Sequence, residues 1–216
     1  MSALNVLLLD NFDSFAFNLY QMIGELLERR KDGSNIKVIR NNEWSLAQVK
    51  EFNPSHIIIG PGPGSPNKPE YFGICGELIK ELGPTTPTLG VCLGMQGICY
   101  AFGATISHAS LPMHGKLSSI VHNDANIFHS LPQNVEIMRY HSLVVDPATI
   151  ADCLKITSVV ALSETPASDL NSAIQEPHEV MGVKHKEFPI QGIQFHPESF
   201  GTEGGYRMLA NFLAGK

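Results

Sequence analysis

The first half of the chain alternates short apolar runs with stretches in which apolar residues recur at helical spacing. This alternation predicts strands and helices in turn, and such an order requires a mainly parallel sheet with helices on both faces. The sequence therefore predicts an α/β fold with an open sheet. We expect strands at 5–10, 36–40, 56–59 and 86–91, and helices at 14–30, 46–52, 71–82 and 93–102.

The second half of the chain has a different pattern, with short β-like runs and few helical ones. We interpret these runs as antiparallel strands that extend the sheet or form a flap, and we expect one amphipathic helix near 204–213 to close the chain. No linker, repeat or low-complexity segment divides the sequence, so residues 1–216 are predicted to form a single domain. The expected strands are at 117–121, 135–140, 143–145, 155–161, 180–184 and 190–195.

Composition and charge exclude several classes of protein. A hydrophobic content of 43% and a charged content of 17% are typical of a globular protein. The net charge of −6 argues against nucleic-acid binding, and no apolar stretch approaches the length of a membrane span. The four cysteines are irregularly spaced, which favours reduced thiols in a cytoplasmic protein.

One of these cysteines, Cys92, lies between Gly90 and Gly94, at the point where a predicted strand gives way to a predicted helix. This arrangement is typical of a nucleophile elbow, a tight turn that exposes a reactive side chain above the edge of a sheet. The start of the following helix favours a thiolate over a thiol. The alternative is a core cysteine at the end of a strand, since free cysteines are usually buried.

The segment from Gln194 to Ser199 contains a His-Pro-Glu motif. Pro197 prevents a helix, so His196 and Glu198 are expected to be extended and to lie on the same side of the chain. A carboxylate beside an imidazole fixes its tautomer and stabilises its charged form. The motif therefore predicts the base and the orienting residue of a Cys-His-Glu triad, or else a surface turn without a catalytic role.

The loop from Gly60 to Pro66 follows the third predicted strand and is rich in glycine and proline. Its N–H groups, together with that of Leu93 just after the cysteine, are candidates for an oxyanion hole. A phosphate-binding loop is the weaker alternative because the Lys-Ser/Thr ending is missing, and a plain structural turn stays open.

Two polar residues are further candidates for the site. Gln96 lies one helical turn beyond Cys92 and projects from the same face of the helix. Ser142 lies between two predicted strands and either holds a polar ligand or is an ordinary serine at a strand edge. Histidines 108, 114, 122 and 129 lack the spacing of metal ligands, so no metal site is predicted.

Taken together, these motifs resemble the class I (triad type) glutamine amidotransferases, whose fold is flavodoxin-like. The more selective stretches, 10–15, 113–116 and 139–143, resemble the glutaminase components of anthranilate synthase and aminodeoxychorismate synthase. The resemblance extends over nearly the whole chain and is carried by residues 7–15, 60–66, 90–96, 113–116, 139–143, 194–199 and 202–203.

The resemblance implies a mechanism and a set of roles. Cys92 attacks the side-chain amide of glutamine, and the N–H groups of Gly62 and Leu93 hold the developing oxyanion. His196, oriented by Glu198, protonates the departing ammonia and then activates water. The glutamine site that the resemblance implies is lined by Gly62, Pro63, Gly64, Gln96, Ser142 and Leu143.

The resemblance also implies a partner. Ammonia would pass through a channel to a separate large subunit that uses chorismate, and that subunit would need magnesium, whereas this chain would need no metal or organic cofactor. The product pathway, towards tryptophan, folate or both, stays open at this point. Two alternatives also stay open: a stand-alone thiol hydrolase of γ-glutamyl compounds on the same fold, and a non-catalytic regulatory module.

Overall fold

An eight-stranded sheet runs through the centre of the molecule in a computed structural model that describes residues 2–162, 169–175 and 177–215. The strands of the molecule are β1 (Asn5–Asp10), β2 (Asn35–Arg40), β3 (His56–Ile59), β4 (Thr88–Val91), β5 (Ile106–His108), β6 (Lys116–Ser119), β7 (Val121–His122), β8 (Glu136–Arg139), β9 (Leu143–Val145), β10 (Leu154–Ala161), β11 (His178–His185) and β12 (Ile190–Ile193). The order of strands in the eight-stranded sheet is β2-β1-β3-β4-β12-β11-β10-β7.

Seven α-helices accompany these strands in the described ranges, together with two short 3₁₀ turns at Asn126–Phe128 and Pro147–Thr149. The helices are α1 (Ala16–Glu28), α2 (Leu46–Phe52), α3 (Pro69–Phe72), α4 (Cys75–Glu81), α5 (Leu93–Ala101), α6 (Leu170–Ala173) and α7 (Gly205–Leu213). None of them has the length and apolar character that a membrane crossing needs.

The predicted α/β class and the mainly parallel sheet are confirmed. Strands β2, β1, β3, β4 and β12 are parallel neighbours, and β11, β10 and β7 extend the sheet in antiparallel pairing. The remaining strands form two small antiparallel pairs, β5 with β9 and β6 with β8. The second half of the chain therefore does both things that the sequence left open, because it extends the sheet and also forms separate hairpin-like pairs.

The core lies on both faces of the sheet because strand side chains alternate in direction. In β1, Val6 and Leu8 face the cluster that contains residues of α1 and α7, whereas Leu7 and Leu9 face the cluster that contains residues of α4 and α5. All four side chains are fully buried. Burial of an aliphatic side chain of this size stabilises the fold by about 1.5–3 kcal/mol, so β1 is fixed firmly at the centre of the sheet.

The structure differs from the sequence prediction in the helix expected at 71–82, which is two helices separated by Gly73. The backbone at Gly73 has a φ of +47°, and a Cβ there would lie 2.2 Å from the main-chain oxygen of Asn41. The N–H of Ile74 donates to that same oxygen at 3.0 Å. A tertiary contact with the loop after β2 therefore breaks the helix.

The strand expected at 117–121 is also divided. Residues Lys116–Ser119 pair with β8, whereas Val121 and His122 pair with β10 in the main sheet. The short elements β5 and α6 were not predicted, since three or four residues are too few to show a periodicity. The predicted single domain runs from residue 1 to residue 216, and its two terminal residues lie outside the described ranges.

Candidate active site

The carboxyl ends of the parallel strands bring the predicted site residues to one rim of the sheet. Strands β1, β3, β4 and β12 end at Asp10, Ile59, Val91 and Ile193. The loop from Gly60, the residue Cys92 and the His-Pro-Glu segment begin at or just beyond these ends. In open parallel sheets this rim is where ligands bind.

Cys92 occupies the strained turn that its sequence context predicts. It caps α5 with a φ of +53° and a ψ of −105°, a combination that residues with a side chain seldom adopt. Its N–H donates to the carbonyl of Ile193 at 2.8 Å, and its carbonyl accepts from the N–H of Gln96 at 3.1 Å. The turn is therefore held on both sides, by β12 and by the first turn of α5.

The glycines on either side of Cys92 are required by close packing. A Cβ on Gly90 would lie 2.4 Å from the carbonyl carbon of Gly94, and a Cβ on Gly94 would lie 2.1 Å from the main-chain oxygen of Ile59. Any side chain at either position would push α5 away from β3 or β4. The glycine frame thus sets how closely the helix and its N-terminal cysteine approach the sheet.

His196 and Glu198 form the pair that the His-Pro-Glu motif predicts. His196 Nδ1 lies 2.6 Å from Glu198 Oε1, and both side chains are buried. Burial lowers the pKa of His196, but the neighbouring Cys92 and Glu198 outweigh it, so the pKa stands well above the ordinary value. Nε2 has no hydrogen-bond partner among the described residues. The pair therefore presents a readily protonated imidazole beside the Cys92 sulfur.

Two aromatic rings and a set of hydrogen bonds to β8 hold the imidazole in place. The rings of Phe15 and Tyr140 contact His196 edge-on, at centroid distances of 5.9 and 5.1 Å, and stack on each other at 5.2 Å. The N–H of His196 donates to the carbonyl of Met138 at 3.2 Å. Thr202 Oγ1 donates to the carbonyl of His196 at 2.6 Å and accepts from the N–H of Met138 at 3.0 Å.

A chain of buried amides connects Cys92 with the opposite wall of the site. Gln194 Nε2 donates to the sulfur of Cys92 at 3.5 Å, and Gln194 Oε1 accepts from Gln96 Nε2 at 3.1 Å. Gln96 Nε2 also donates to the carbonyl of Leu143 at 3.0 Å. The sequence analysis predicted Gln96 near the site but gave no role to Gln194. The position of Gln194 just before the His-Pro-Glu motif could have indicated that it lies close to Cys92.

A cavity of about 140 Å³ lies in front of Cys92 and Gln96. Six of the seven residues predicted to bind the substrate line this cavity: Gly62, Pro63, Gly64, Gln96, Ser142 and Leu143. The seventh, Leu93, adjoins the cavity, since its Cδ2 would lie 2.9 Å from a Cβ placed on Gly62. Tyr140 and His141 also line the cavity and were not predicted to do so.

The N–H groups of Gly62 and Leu93 are the two predicted oxyanion donors. Leu93 is the first residue of α5, and the first N–H groups of a helix have no partner within it. Neither N–H has an acceptor among the residues that the structure describes. Both groups are therefore free to donate to a ligand at the mouth of the cysteine turn.

His141 is buried beside the cavity and is held neutral. Burial and the adjacent Arg139 guanidinium lower its pKa to about 3. Arg139 Nε donates to His141 Nε2 at 3.2 Å, and the guanidinium forms a buried ion pair with Glu179 of β11. This cluster connects the end of β8 to β11 of the main sheet. It therefore holds the chain in place immediately before Ser142, which lines the cavity.

Within the described ranges, no group of three or more His, Cys, Asp or Glu side chains is placed to hold a metal ion. The expectation that the chain works without a metal or organic cofactor stays a prediction.

Comparison with known proteins agrees with this geometry. Residues 7–215 match the model of the glutamine amidotransferase class-I family. The chain is 47% identical over 210 residues to the anthranilate synthase component 2 of Leptospira biflexa, covering 97% of this chain and 99% of the relative. It is 40% identical over 208 residues to the aminodeoxychorismate synthase component 2 of Escherichia coli K12, covering 96% and 98% of the two chains.

A solved structure with the same fold is that of a GMP synthase subunit from Thermoplasma acidophilum. It superimposes with a TM-score of 0.78 at 22% identity, covering all of this chain and 94% of the other. The resemblance that the motifs suggested is thus confirmed over nearly the full length of the sequence. The chain belongs to the class-I glutamine amidotransferase family.

Proposed function

We propose that this chain is the glutaminase subunit of a two-component synthase that acts on chorismate, and that it supplies the ammonia for that reaction. The observation that carries the proposal is the buried His196–Glu198 pair beside Cys92, at the edge of a small polar cavity. The relatives named above are the second components of anthranilate synthase and of aminodeoxychorismate synthase, which supports a partner of this kind.

The first chemical step is acylation of Cys92. The thiolate forms a bond to the side-chain carbonyl carbon of glutamine, and the oxygen becomes an oxyanion that accepts from the N–H groups of Gly62 and Leu93. His196 gives its Nε2 proton to the nitrogen, the C–N bond breaks, and ammonia leaves. Gln194, which donates to the sulfur, stabilises the thiolate before the attack.

The second step is hydrolysis of the γ-glutamyl thioester. His196, now neutral, takes a proton from water, and the resulting hydroxide attacks the thioester carbonyl. The C–S bond breaks, glutamate leaves, and the thiolate–imidazolium pair is restored. Glu198 Oε1 accepts from Nδ1 throughout, so that Nε2 faces the reaction.

The polar wall of the cavity is suited to the rest of the glutamine molecule. Ser142 and the main chain from Gly62 to Gly64 line it together with Cys92, and Gln96 is held in place by Leu143 and Gln194. We propose that these groups bind the α-amino and α-carboxylate groups. No metal enters either step, and any magnesium requirement would belong to the partner subunit.

The test is glutamate release from glutamine, measured for this chain alone and then with the large subunit of an anthranilate synthase or of an aminodeoxychorismate synthase plus chorismate. A strong rise with one partner supports the proposal and identifies the product, and a rise with both indicates a shared subunit. Equal release without and with either partner would instead support a stand-alone hydrolase. No release under any condition would support a non-catalytic module.

A further inference from the structure

Two buried asparagines lie behind the loop that begins at Gly60. Asn11 follows β1, Asn41 follows β2, and each is only 1% exposed. Asn11 Nδ2 donates to the carbonyl of Gly60 at 2.8 Å. Asn41 Nδ2 donates both to Asn11 Oδ1 and to the carbonyl of Tyr71, each at 2.8 Å. The two amides thus form a relay from α3 through Asn41 and Asn11 to the loop.

The orientation of Asn11 is fixed by further contacts. Its Oδ1 also accepts from the thiol of Cys75 at 3.4 Å, so donors from the end of β2 and from α4 both point at the same oxygen. The main chain on both sides is ordered by the sheet, since Asn41 N–H donates to the carbonyl of Asp10 at 3.0 Å. A buried amide with this many partners is held to one rotamer, because any other would leave polar groups unpaired.

The loop itself is clamped between Asn11 and Tyr71. A Cβ on Gly62 would lie 2.5 Å from Asn11 Cβ and 2.6 Å from the main-chain oxygen of Asn11. A Cβ on Gly64 would lie 2.3 Å from the ring of Tyr71, and the backbone there has a φ of +76°. Asn41 Nδ2 donates to Asn11 and to the carbonyl of Tyr71, so one side chain connects the two residues that pack against the loop.

An oxyanion donor must be placed within a few tenths of an ångström, because the hydrogen bond it makes in the transition state is short. We propose that Asn11 and Asn41 are positioning residues for glutamine hydrolysis, which hold the N–H of Gly62 where the oxyanion forms. Neither side chain lines the cavity in front of Cys92, so both act through the loop. This inference rests on the proposed function and deepens it.

The test compares Asn11→Ala and Asn41→Ala with Asn211→Ala, in the complex with whichever synthase partner stimulates the wild-type chain. Asn211 is a matched control, since it is buried and its Nδ2 donates to two main-chain carbonyls, those of Ile127 at 3.1 Å and His129 at 2.8 Å, away from the site.

The readouts are kcat and KM for glutamate release, and the rate of Cys92 alkylation by iodoacetamide. Peptide mapping separates Cys92 from the partly exposed Cys153.

Alkylation uses the same sulfur but forms no oxyanion, so it distinguishes a misplaced donor from a damaged nucleophile. We expect Asn11→Ala to lower kcat by about 10-fold to 10²-fold, less than complete removal of an oxyanion donor costs. We expect KM to change by less than about 3-fold and the alkylation rate to be unchanged, with a smaller kcat loss for Asn41→Ala. Asn211→Ala is expected to lose stability but to keep its kcat.

Three results would overturn the relay. One is a kcat within about 2-fold of wild type in both asparagine variants, which is too small for the loss of a positioned donor. Another is a parallel loss of kcat and alkylation rate, and the third is an equal kcat loss in Asn211→Ala. If Asn11→Ala does not fold, Asn41→Ala is compared with Asn211→Ala instead, because Asn41 reaches the loop through its hydrogen bond to Asn11. Wild-type chain that releases no glutamate with either partner would instead overturn the proposed function, and the relay with it.

Discussion

His196 Nδ1 and Glu198 Oε1 lie 2.6 Å apart, and the two residues are separated by a proline that keeps them on the same side of the chain. The carboxylate orients the ring, so the opposite nitrogen, Nε2, faces Cys92. Burial of both side chains strengthens the interaction, because the surroundings screen it poorly. The roles that we propose, His196 as acid and base and Glu198 as the orienting residue, rest on this one contact.

Removing the base is expected to cost more than removing the residue that orients it. His196→Ala eliminates the proton donor of the first step and the base of the second, whereas Glu198→Ala leaves the imidazole present but mobile. We expect Glu198→Ala to retain about 10²-fold more activity than His196→Ala, measured as kcat for glutamate release in the complex with the synthase partner. Equal losses would mean that Glu198 does more than orient the ring.

The titration of His196 is expected to depend on Glu198. Burial lowers the pKa of His196, but Cys92 and Glu198 raise it above the ordinary value, so its protonation stabilises the folded state at low pH. That contribution is lost as the pH rises through the folded-state pKa. Glu198→Gln should shift the titration midpoint of His196 to lower pH, as measured by NMR of the ring nitrogens. The resonances of His56, a residue at the start of β3, serve as the control and should not move.

His56 itself is expected to make the protein acid-sensitive. Burial, followed by the charge of Arg30, lowers the pKa of His56 from 6.5 to about 4. Between these values the unfolded chain binds a proton that the folded chain does not, so stability falls as the pH falls from about 6.5 to about 4. His56→Phe, which preserves an aromatic contact with Phe212, removes this proton uptake.

The measurement is the free energy of unfolding by urea at several pH values for both proteins. The wild-type curve should be steeper in this window by at most about 1.4 kcal/mol per pH unit. Parallel curves would show that His56 titrates normally in the folded protein.

Alanine at two helical glycines is expected to have opposite effects. A Cβ on Gly94 would meet the main-chain oxygen of Ile59 at 2.1 Å, whereas no described residue outside the backbone of α1 lies within 4 Å of a Cβ on Gly24 in that helix. We expect Gly94→Ala to cost about 3 kcal/mol of unfolding free energy through overpacking. Gly24→Ala should gain about 0.5–1 kcal/mol, because alanine favours the helix. Urea denaturation compares them, and a neutral Gly94→Ala would show that α5 can move away from the sheet.

The parts of the fold that the sequence predicts correctly are those encoded locally. The apolar run of β1, the glycine frame around Cys92 and the His-Pro-Glu motif each lie within a few consecutive residues, and their periodicity and spacing suffice. The common rim then follows from topology alone, since parallel strands place their carboxyl ends together.

The parts that the sequence does not predict depend on contacts between distant segments. The helix break at Gly73 is set by the carbonyl of Asn41, and the hydrogen bond from Gln194 to Cys92 joins residues 102 positions apart. The hydrogen bonds from Asn41 to Asn11 and from Asn11 to Gly60 likewise cannot be predicted from the order of residues in the sequence. Such contacts form only once the sheet order has placed these loops side by side.

In the mechanism that we propose, Cys92 carries the glutamyl group during turnover. The most direct test is to mix the active complex with glutamine, quench it with acid within the first turnover, and map any adduct by mass spectrometry. Buried Cys75 and Cys99, whose thiols have pKa values raised by burial, are internal controls in the same chain. We predict a transient γ-glutamyl adduct on the Cys92 peptide alone, and no glutamate release from Cys92→Ala. An adduct on another cysteine, or glutamate release at the wild-type rate by Cys92→Ala, would contradict it.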